Sequence, residues 1–414
     1  MYFAILGLAD GVWLARLPAV KQHLGLSDAR LGVALLAAPV GLVIVAAFAD
    51  RLIDRFGSAR ATVVGAAAIS LLPIALGLAG SMTVLMAVLL VYGMSGALAD
   101  VAMNAQAVRV ERGYRRPMIN SFHACFSFGG LLGALLGGLF AWAGIGPAVT
   151  FAAVGAPLAV LAVLARRRLL RGPEASDPAV TAAPATDPDP AGQGAAGRDP
   201  ASQGAAGEGR GGVGRMRAAA RRHAAALRIA ALGLLALCSL LGEGAAGSWS
   251  AVYLRDNLGT SAAFAALGYA AFSVTMAAGR LTGDRLAARF GPGRLVSGCG
   301  VVAGLGLAGT LTSRSPAVGL AGFALFGAGL SGTFPQLLST AGNIRTSRSG
   351  TGIARVAGAG YLGLLAGPVL IGSCAGLVGL RLALGIPVIL MGFIAVGGRV
   401  VVGPRRASGP APGR

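Results

Sequence analysis

"FADRLIDRFGSAR", residues 48–60, sets five charges and a glycine into a chain that is otherwise mostly Ala, Leu, Gly and Val. "TGDRLAARFGPGR", residues 282–294, repeats the phrase 234 positions later as D-R-L-x-x-R-F-G-x-x-R. A charged turn can arise anywhere between apolar segments. Its recurrence at a fixed offset asks whether everything around it recurs as well.

The surroundings are strongly apolar. Hydrophobic residues make up 55% of 414 positions, charged residues 12%, and the mean hydropathy is +0.73, against roughly 25% charged residues in an ordinary soluble domain. Apolar runs long enough to cross a bilayer occur at 61–80, 146–165 and 379–396. They lack the alternation of a barrel strand and must therefore be helices, the form that satisfies its own backbone in lipid. A net charge of +20 raises the possibility of nucleic acid, but the basic residues lie between apolar runs rather than on one domain, and no nucleic-acid partner is expected. The four cysteines stand far apart inside apolar runs and read as small buried residues, with no disulfide frame or metal site. The opening "MYFAILGLADGVW" has no basic leader and no small-residue cleavage site, so a removable signal peptide is not expected. Span 1 is short on that side: either a few residues precede it or a cytoplasmic arm is lacking.

Apolar runs between charged or Gly/Pro-rich breaks predict spans near 2–19, 29–50, 61–80, 82–108, 117–141 and 146–165, then 227–254, 261–283, 295–312, 316–341, 350–376 and 379–402. The chain thus divides into a six-helix half at 1–165, a central segment at 166–226, a second six-helix half at 227–402 and a tail at 403–414. The central segment, rich in Ala, Gly, Pro and Asp with a repeated QGAAG, is expected to be a largely disordered loop. "RMRAAARRHAAALR", residues 215–228, is expected to form a short amphipathic helix on the membrane surface. With both termini cytoplasmic, 29 Arg and Lys residues fall on the inside and 6 outside, the asymmetry that sets orientation.

The charged phrase joins spans 2 and 3 in one half and spans 8 and 9 in the other. Trp13 and Trp249 keep nearly the same offset, and "SFGGLLGALLGG" in span 5 parallels "GYLGLLAGPVLIG" in span 11. Two six-helix halves in the same orientation are parallel repeats. On these residues the sequence resembles the major facilitator superfamily, whose members bind solute at mid-membrane between such halves, and within it the fucose-permease-like branch. Asp50, Arg51, Arg55 and Gly57 resemble the family's signature loop, and Asp284, Arg285, Arg289 and Gly291 its echo. The resemblance implies that these residues hold the cytoplasmic side shut in the outward-facing state. Ala47 stands where the commonest form of the loop has Gly.

Charges within spans are costly and mark paths for ions or solute. Asp100 and Asn104 lie four apart on one face of span 4. They resemble the acidic-x-x-x-Asn pattern that the branch links to proton coupling, although pairing of Asp100 with Arg109 or Arg112 is a structural alternative. His123 in span 5 falls where the branch carries a solute-facing residue, or it is a buried neutral histidine. Asp10, one turn from Trp13, resembles an acidic feature of span 1, or lies shallow and wet. Glu243 sits among glycines in span 7, and Gln336 and Asn343 form a hydrogen-bonding wall in span 10. Asp100, Asp10 and Glu243 are thus candidate proton carriers, and Asn104, His123, Trp13, Gln336 and Asn343 candidate solute contacts.

No nucleotide-binding loop, metalloprotease motif or nucleophile set is present, so neither an enzyme nor a cofactor or metal is expected. The expectation is a monomeric, multi-pass transporter of the cell membrane. It would take up a small polar, sugar-like solute by proton symport and alternating access. Export by proton antiport is the rival; that branch places Gly-Pro in span 5, whereas here Gly367 and Pro368 lie in span 11.

Overall fold

The computed structural model describes residues 1–46, 48–114, 119–170, 208–344 and 349–403. Among them there is no strand. Twelve helical stretches are long and apolar enough to cross a membrane: Tyr2–His23, Asp28–Val45, Ser58–Gly77, Met82–Glu111, Ala124–Trp142 and Pro147–Arg168 as spans 1 to 6, then His223–Asn257, Ala262–Gly283, Pro292–Thr312, Pro316–Gly342, Arg355–Val378 and Leu380–Val402 as spans 7 to 12. They match the expected spans in number and order.

The twofold repeat is written into the backbone. Glycines with positive φ occur at Gly25, Gly57, Gly144, Gly259, Gly291 and Gly379. They form three pairs, each separated by 234 or 235 positions. The glycines of the charged phrase, Gly57 (φ 79°, ψ 143°) and Gly291 (φ 80°, ψ 148°), adopt the same conformation, one that side chains oppose. Ser27 and Ser261, also 234 apart, cap the helices that follow, accepting from the backbone N–H of Arg30 at 3.3 Å and of Phe264 at 3.1 Å.

Three spans are broken, and one cause accounts for all of them. Span 2 is interrupted after Leu35, span 10 after Ser331 and span 12 after Ala383. Proline stands four residues beyond each end, at Pro39, Pro335 and Pro387. Lacking an N–H, it cannot bond the carbonyl four residues back, and its ring crowds that turn.

Within each half the helices close on small residues. On span 1, Gly7 and Gly11 meet the backbone carbonyls of Phe126 and Gly130 on span 5, while Gly129 and Gly133 of span 5 meet Ala4 and Leu8. The second half repeats the contact: Gly363 and Gly367 of span 11 meet Leu237 and Leu241 on span 7. Without a hydrophobic drive between helices in lipid, this close backbone approach is what holds them.

Two sequence expectations change. Residues 208–226, assigned to the central loop and a surface helix, are helical and continuous with span 7, in one helix Glu208–Val252; the Ala-rich 215–228 stretch has no Pro or helix-ending Gly to separate it from the span. Residues 171–207 lie outside the described residues. Of the cysteines, Cys238 is buried but Cys125 is exposed.

Candidate functional site

The halves meet at the end of the bundle that carries the connections between spans 1 and 2 and between spans 7 and 8. There Gly32 of span 2 and Gly372 of span 11 lie so close that a Cβ on either would strike the other's backbone, and Gly376 sits over Ala29. Gly138 of span 5 faces Ala263 and Ala266 of span 8. A charge cluster closes the seam. Lys21, at the end of span 1, lies 2.5 Å from both Asp28 of its own half and Asp256 of the other, and Gln22 Nε2 donates to the second oxygen of Asp256 at 3.4 Å. At the 234-residue offset of the neighbouring pairs Gly25–Gly259 and Ser27–Ser261, Lys21 matches Arg255 and Asp256 matches Gln22, so the contact joins adjacent rather than equivalent places in the two halves.

The charged phrases lie at the opposite end, where no contact joins them among the described residues. Arg51 lies over the ring of Phe48 at 5.9 Å, Arg55 over Phe56 at 5.7 Å and Arg289 over Phe290 at 5.4 Å, each on a neighbour in its own phrase. All three, and Arg285, are exposed. The side chains of Asp50 and Asp284, and Ala47, lie outside the described residues.

Between these ends, polar side chains of both halves gather. Tyr92 of span 4 donates to Asp10 Oδ1 of span 1. Eight residues along span 4, about 12 Å toward the charged phrases, Asp100 is exposed, with its Oδ1 accepting from Asn104 Nδ2 at 3.0 Å. Asp10 lies within electrostatic reach of Asp100, and no cation pairs with either carboxylate among the described residues. From the second half come Tyr361 of span 11, 56% exposed and within reach of Asp100 and Glu243, and Tyr269 of span 8, within reach of Asp10, Glu243 and Arg280. Tyr269, Tyr361 and Glu243 of the second half thus stand near Asp10 and Asp100 of the first. Phe334 of span 10 packs edge-on against Tyr361 with ring centres 6.3 Å apart.

The expected site residues divide accordingly. Asp10, Asp100, Asn104 and Glu243 come together. Glu243 is not a lone acid: Arg280 Nη2 donates to its two oxygens at 3.2 and 3.4 Å. Trp13 is turned away, 4% exposed, and packs on Phe151 of span 6. Asn343 stands one residue beyond span 10 as the exposed cap of the helix Thr333–Gly342, too far along to belong to a mid-membrane wall. Gln336 is half-buried in that helix. His123 is helical, but its side chain lies outside the described residues.

The Major Facilitator Superfamily family model matches residues 1–227 and 232–414. The chain belongs to this superfamily. An uncharacterized MFS-type transporter of Yersinia pestis is 32% identical over 403 residues, covering 96% of this chain and 94% of the relative. Among solved structures, a D-xylose–proton symporter superposes with a TM-score of 0.68 at 13% identity, covering 97% of this chain and 95% of that one. The nucleoside transporter NupG gives 0.67 at 11%, covering 97% and 98%. At such identities the structures share the fold.

As a member of the major facilitator superfamily the protein is a multi-pass transporter of a small-molecule substrate, not an enzyme. Several residues of the candidate site and of its sealed end escaped the sequence reading: Tyr92, Tyr269, Tyr361 and Arg280 in the first, the Lys21 cluster in the second. Two had a visible signal. Lys21 is the only lysine among 35 basic residues, and Arg280, counted with the charged phrase, falls inside span 8. The tyrosines had none, since an aromatic in an apolar helix reads as core.

Proposed function

We propose that this protein takes up a small polar solute together with protons by alternating access across the cell membrane. The observation that carries the reading is a pair of carboxylates, Asp10 and Asp100, without cationic partners in a space between halves that are sealed at one end. Unpaired charge at membrane depth is costly, and a proton is the smallest partner that removes the cost. Asp100, the more accessible, exchanges protons with water. Asp10, held by Tyr92, senses its charge. Asn104, Tyr361 and Gln336 offer hydrogen-bonding groups and an aromatic face to a sugar-like solute, in keeping with the resemblance to the fucose-permease-like branch.

By the excess of arginine, the end with the charged phrases is cytoplasmic, as are both termini. The sealed end then faces outward and the conformation is inward-open. In the alternate state Arg51, Arg55, Arg285 and Arg289 leave their own phenylalanines and latch the cytoplasmic side. The protein works as a monomer, because both walls of the site come from one chain.

The test is solute-driven proton movement in proteoliposomes loaded with a pH dye. Wild type is expected to move protons inward with solute. Asp100→Asn is expected to abolish proton movement while retaining exchange of labelled solute. If Asp100→Asn leaves proton movement unchanged, the carboxylate is not the carrier. If cells expressing the protein lower their dye accumulation in a proton-dependent way, the direction is export.

A further inference from the structure

We propose that Arg280 is the receptor for a carboxylate on the transported solute, with Glu243 as the internal counter-ion that the solute replaces. This names the solute class for the transport reading above and rests on it.

A guanidinium is permanently charged, and within a span it demands a reason. A single nitrogen, Nη2, meets both oxygens of Glu243. That contact does not use the two-pronged fork by which arginine grips a carboxylate most strongly. Nε and Nη1, carrying three of the five donors, have no partner among the described residues, and the side chain is 37% exposed. Among the described residues the fork thus has no second partner.

The charge layout makes this the landing point for an anion. The facing wall carries Asp10 and Asp100, which repel anions, whereas hydroxyl groups suit the free Asp100 oxygen and Asn104. A solute with a carboxylate at one end and hydroxyls at the other spans both walls: its acid takes the fork of Arg280 and its hydroxyls donate to Asp100. Glu243 then loses its partner. The groups facing it are Arg280 and Tyr269 on span 8 and Tyr361 on span 11, so once Arg280 is taken no second cation is at hand among the described residues. A proton that Asp100 has taken from solution passes to the released carboxylate, and the charge of the site is unchanged by the arriving anion. One proton thereby accompanies each acid, and leaves when Glu243 returns to Arg280.

The test is ligand-dependent thermal stability of the purified full-length protein in detergent, with sodium glucuronate, glucose and glucosamine as probes. Glucuronate is expected to raise the midpoint saturably, and the neutral and amino sugars to do so at least tenfold more weakly. Glu243→Gln removes the competitor and is expected to tighten glucuronate binding at least ~10-fold, because the solute no longer has to displace a charge-assisted contact. Arg280→Gln should abolish the response, and Arg280→Lys, which keeps charge but not the fork, should weaken it. A pair that only ties span 7 to span 8 predicts instead that Glu243→Gln and Arg280→Gln lower stability alike without changing selectivity, and that result overturns the proposal. So does a response to glucose or glucosamine with none to glucuronate. Proton-coupled movement of glucose would leave the transport reading standing while removing the acid; glucuronate binding without proton movement would keep Arg280 as the receptor of the acid while removing proton coupling.

Discussion

Replacing Lys21 with methionine keeps the length of the side chain and removes the charge from the sealed end. Asp28 and Asp256 each place an oxygen 2.5 Å from Nζ, so those oxygens lie no more than about 5 Å apart. Their repulsion, once uncovered, is ~3 kcal/mol at an effective dielectric near 20 and ~0.8 kcal/mol in bulk water. The carboxylates are 23% and 27% exposed, between those limits, and about 2 kcal/mol is the working figure. That shifts the balance of the two end states by ~30-fold toward opening of this end. The assay is a spin-label or fluorescence distance between His23→Cys and Asn257→Cys in a background without the four native cysteines. Wild type is expected to give a short distance, and Lys21→Met a long or bimodal one. Adding Asp256→Asn to Lys21→Met removes the repulsion and should restore most of the short population; exchanging the pair, Lys21→Asp with Asp256→Lys, should restore it too, because the new lysine then faces two carboxylates across the seam. Unchanged distances in Lys21→Met would show that glycine contacts alone seal the seam and that the charge cluster is incidental.

Two further outcomes follow from the same geometry. Gly372→Ala places a methyl group against the Gly32 backbone and 2.9 Å from the Trp249 ring, so it should wedge the seam and lengthen the same label distance without loss of expression; a short distance in this variant would mean that span 11 gives way. Tyr92→Phe deletes the hydrogen bond to Asp10, and proton-coupled transport should fall at least tenfold, given ~1.5–3 kcal/mol for a bond to a charged group, with the thermal midpoint of the protein little changed.

The architecture was legible because hydropathy and repetition are properties of the chain itself. Span number, the division into halves and the matching of residues 48–60 with 282–294 could all be read without a neighbour. The breaks in spans 2, 10 and 12 were also within reach, since Pro39, Pro335 and Pro387 announce them, but a hydropathy run does not register a missing N–H. The site was legible only in part. Asp100 and Asn104 pair along one helix, where a four-residue spacing suffices. Trp13 looked like a wall residue because it follows Asp10 by three positions, yet its face turns to Phe151, and which way a uniformly apolar helix is rotated depends on its neighbours. Glu243 could not be recognised as one half of an ion pair, because Arg280 lies on the next span and was absorbed into the charge count of a loop.

The contact between Lys21 and Asp256 carries a consequence for descent. At the 234-residue offset that matches Gly25 with Gly259 and Ser27 with Ser261, Lys21 corresponds to Arg255 and Asp256 to Gln22. In a twofold arrangement of identical units every contact across the seam occurs twice. Here the charged contact occurs once: its counterpart would join Arg255 to Gln22, whereas Arg255 turns to the carbonyl of Thr260 in its own half. The ion pair depends on Asp256 differing from Gln22, so it can only postdate the divergence of the two copies. A difference at one matched position thus gives the outer end an attraction that a symmetric duplication would lack.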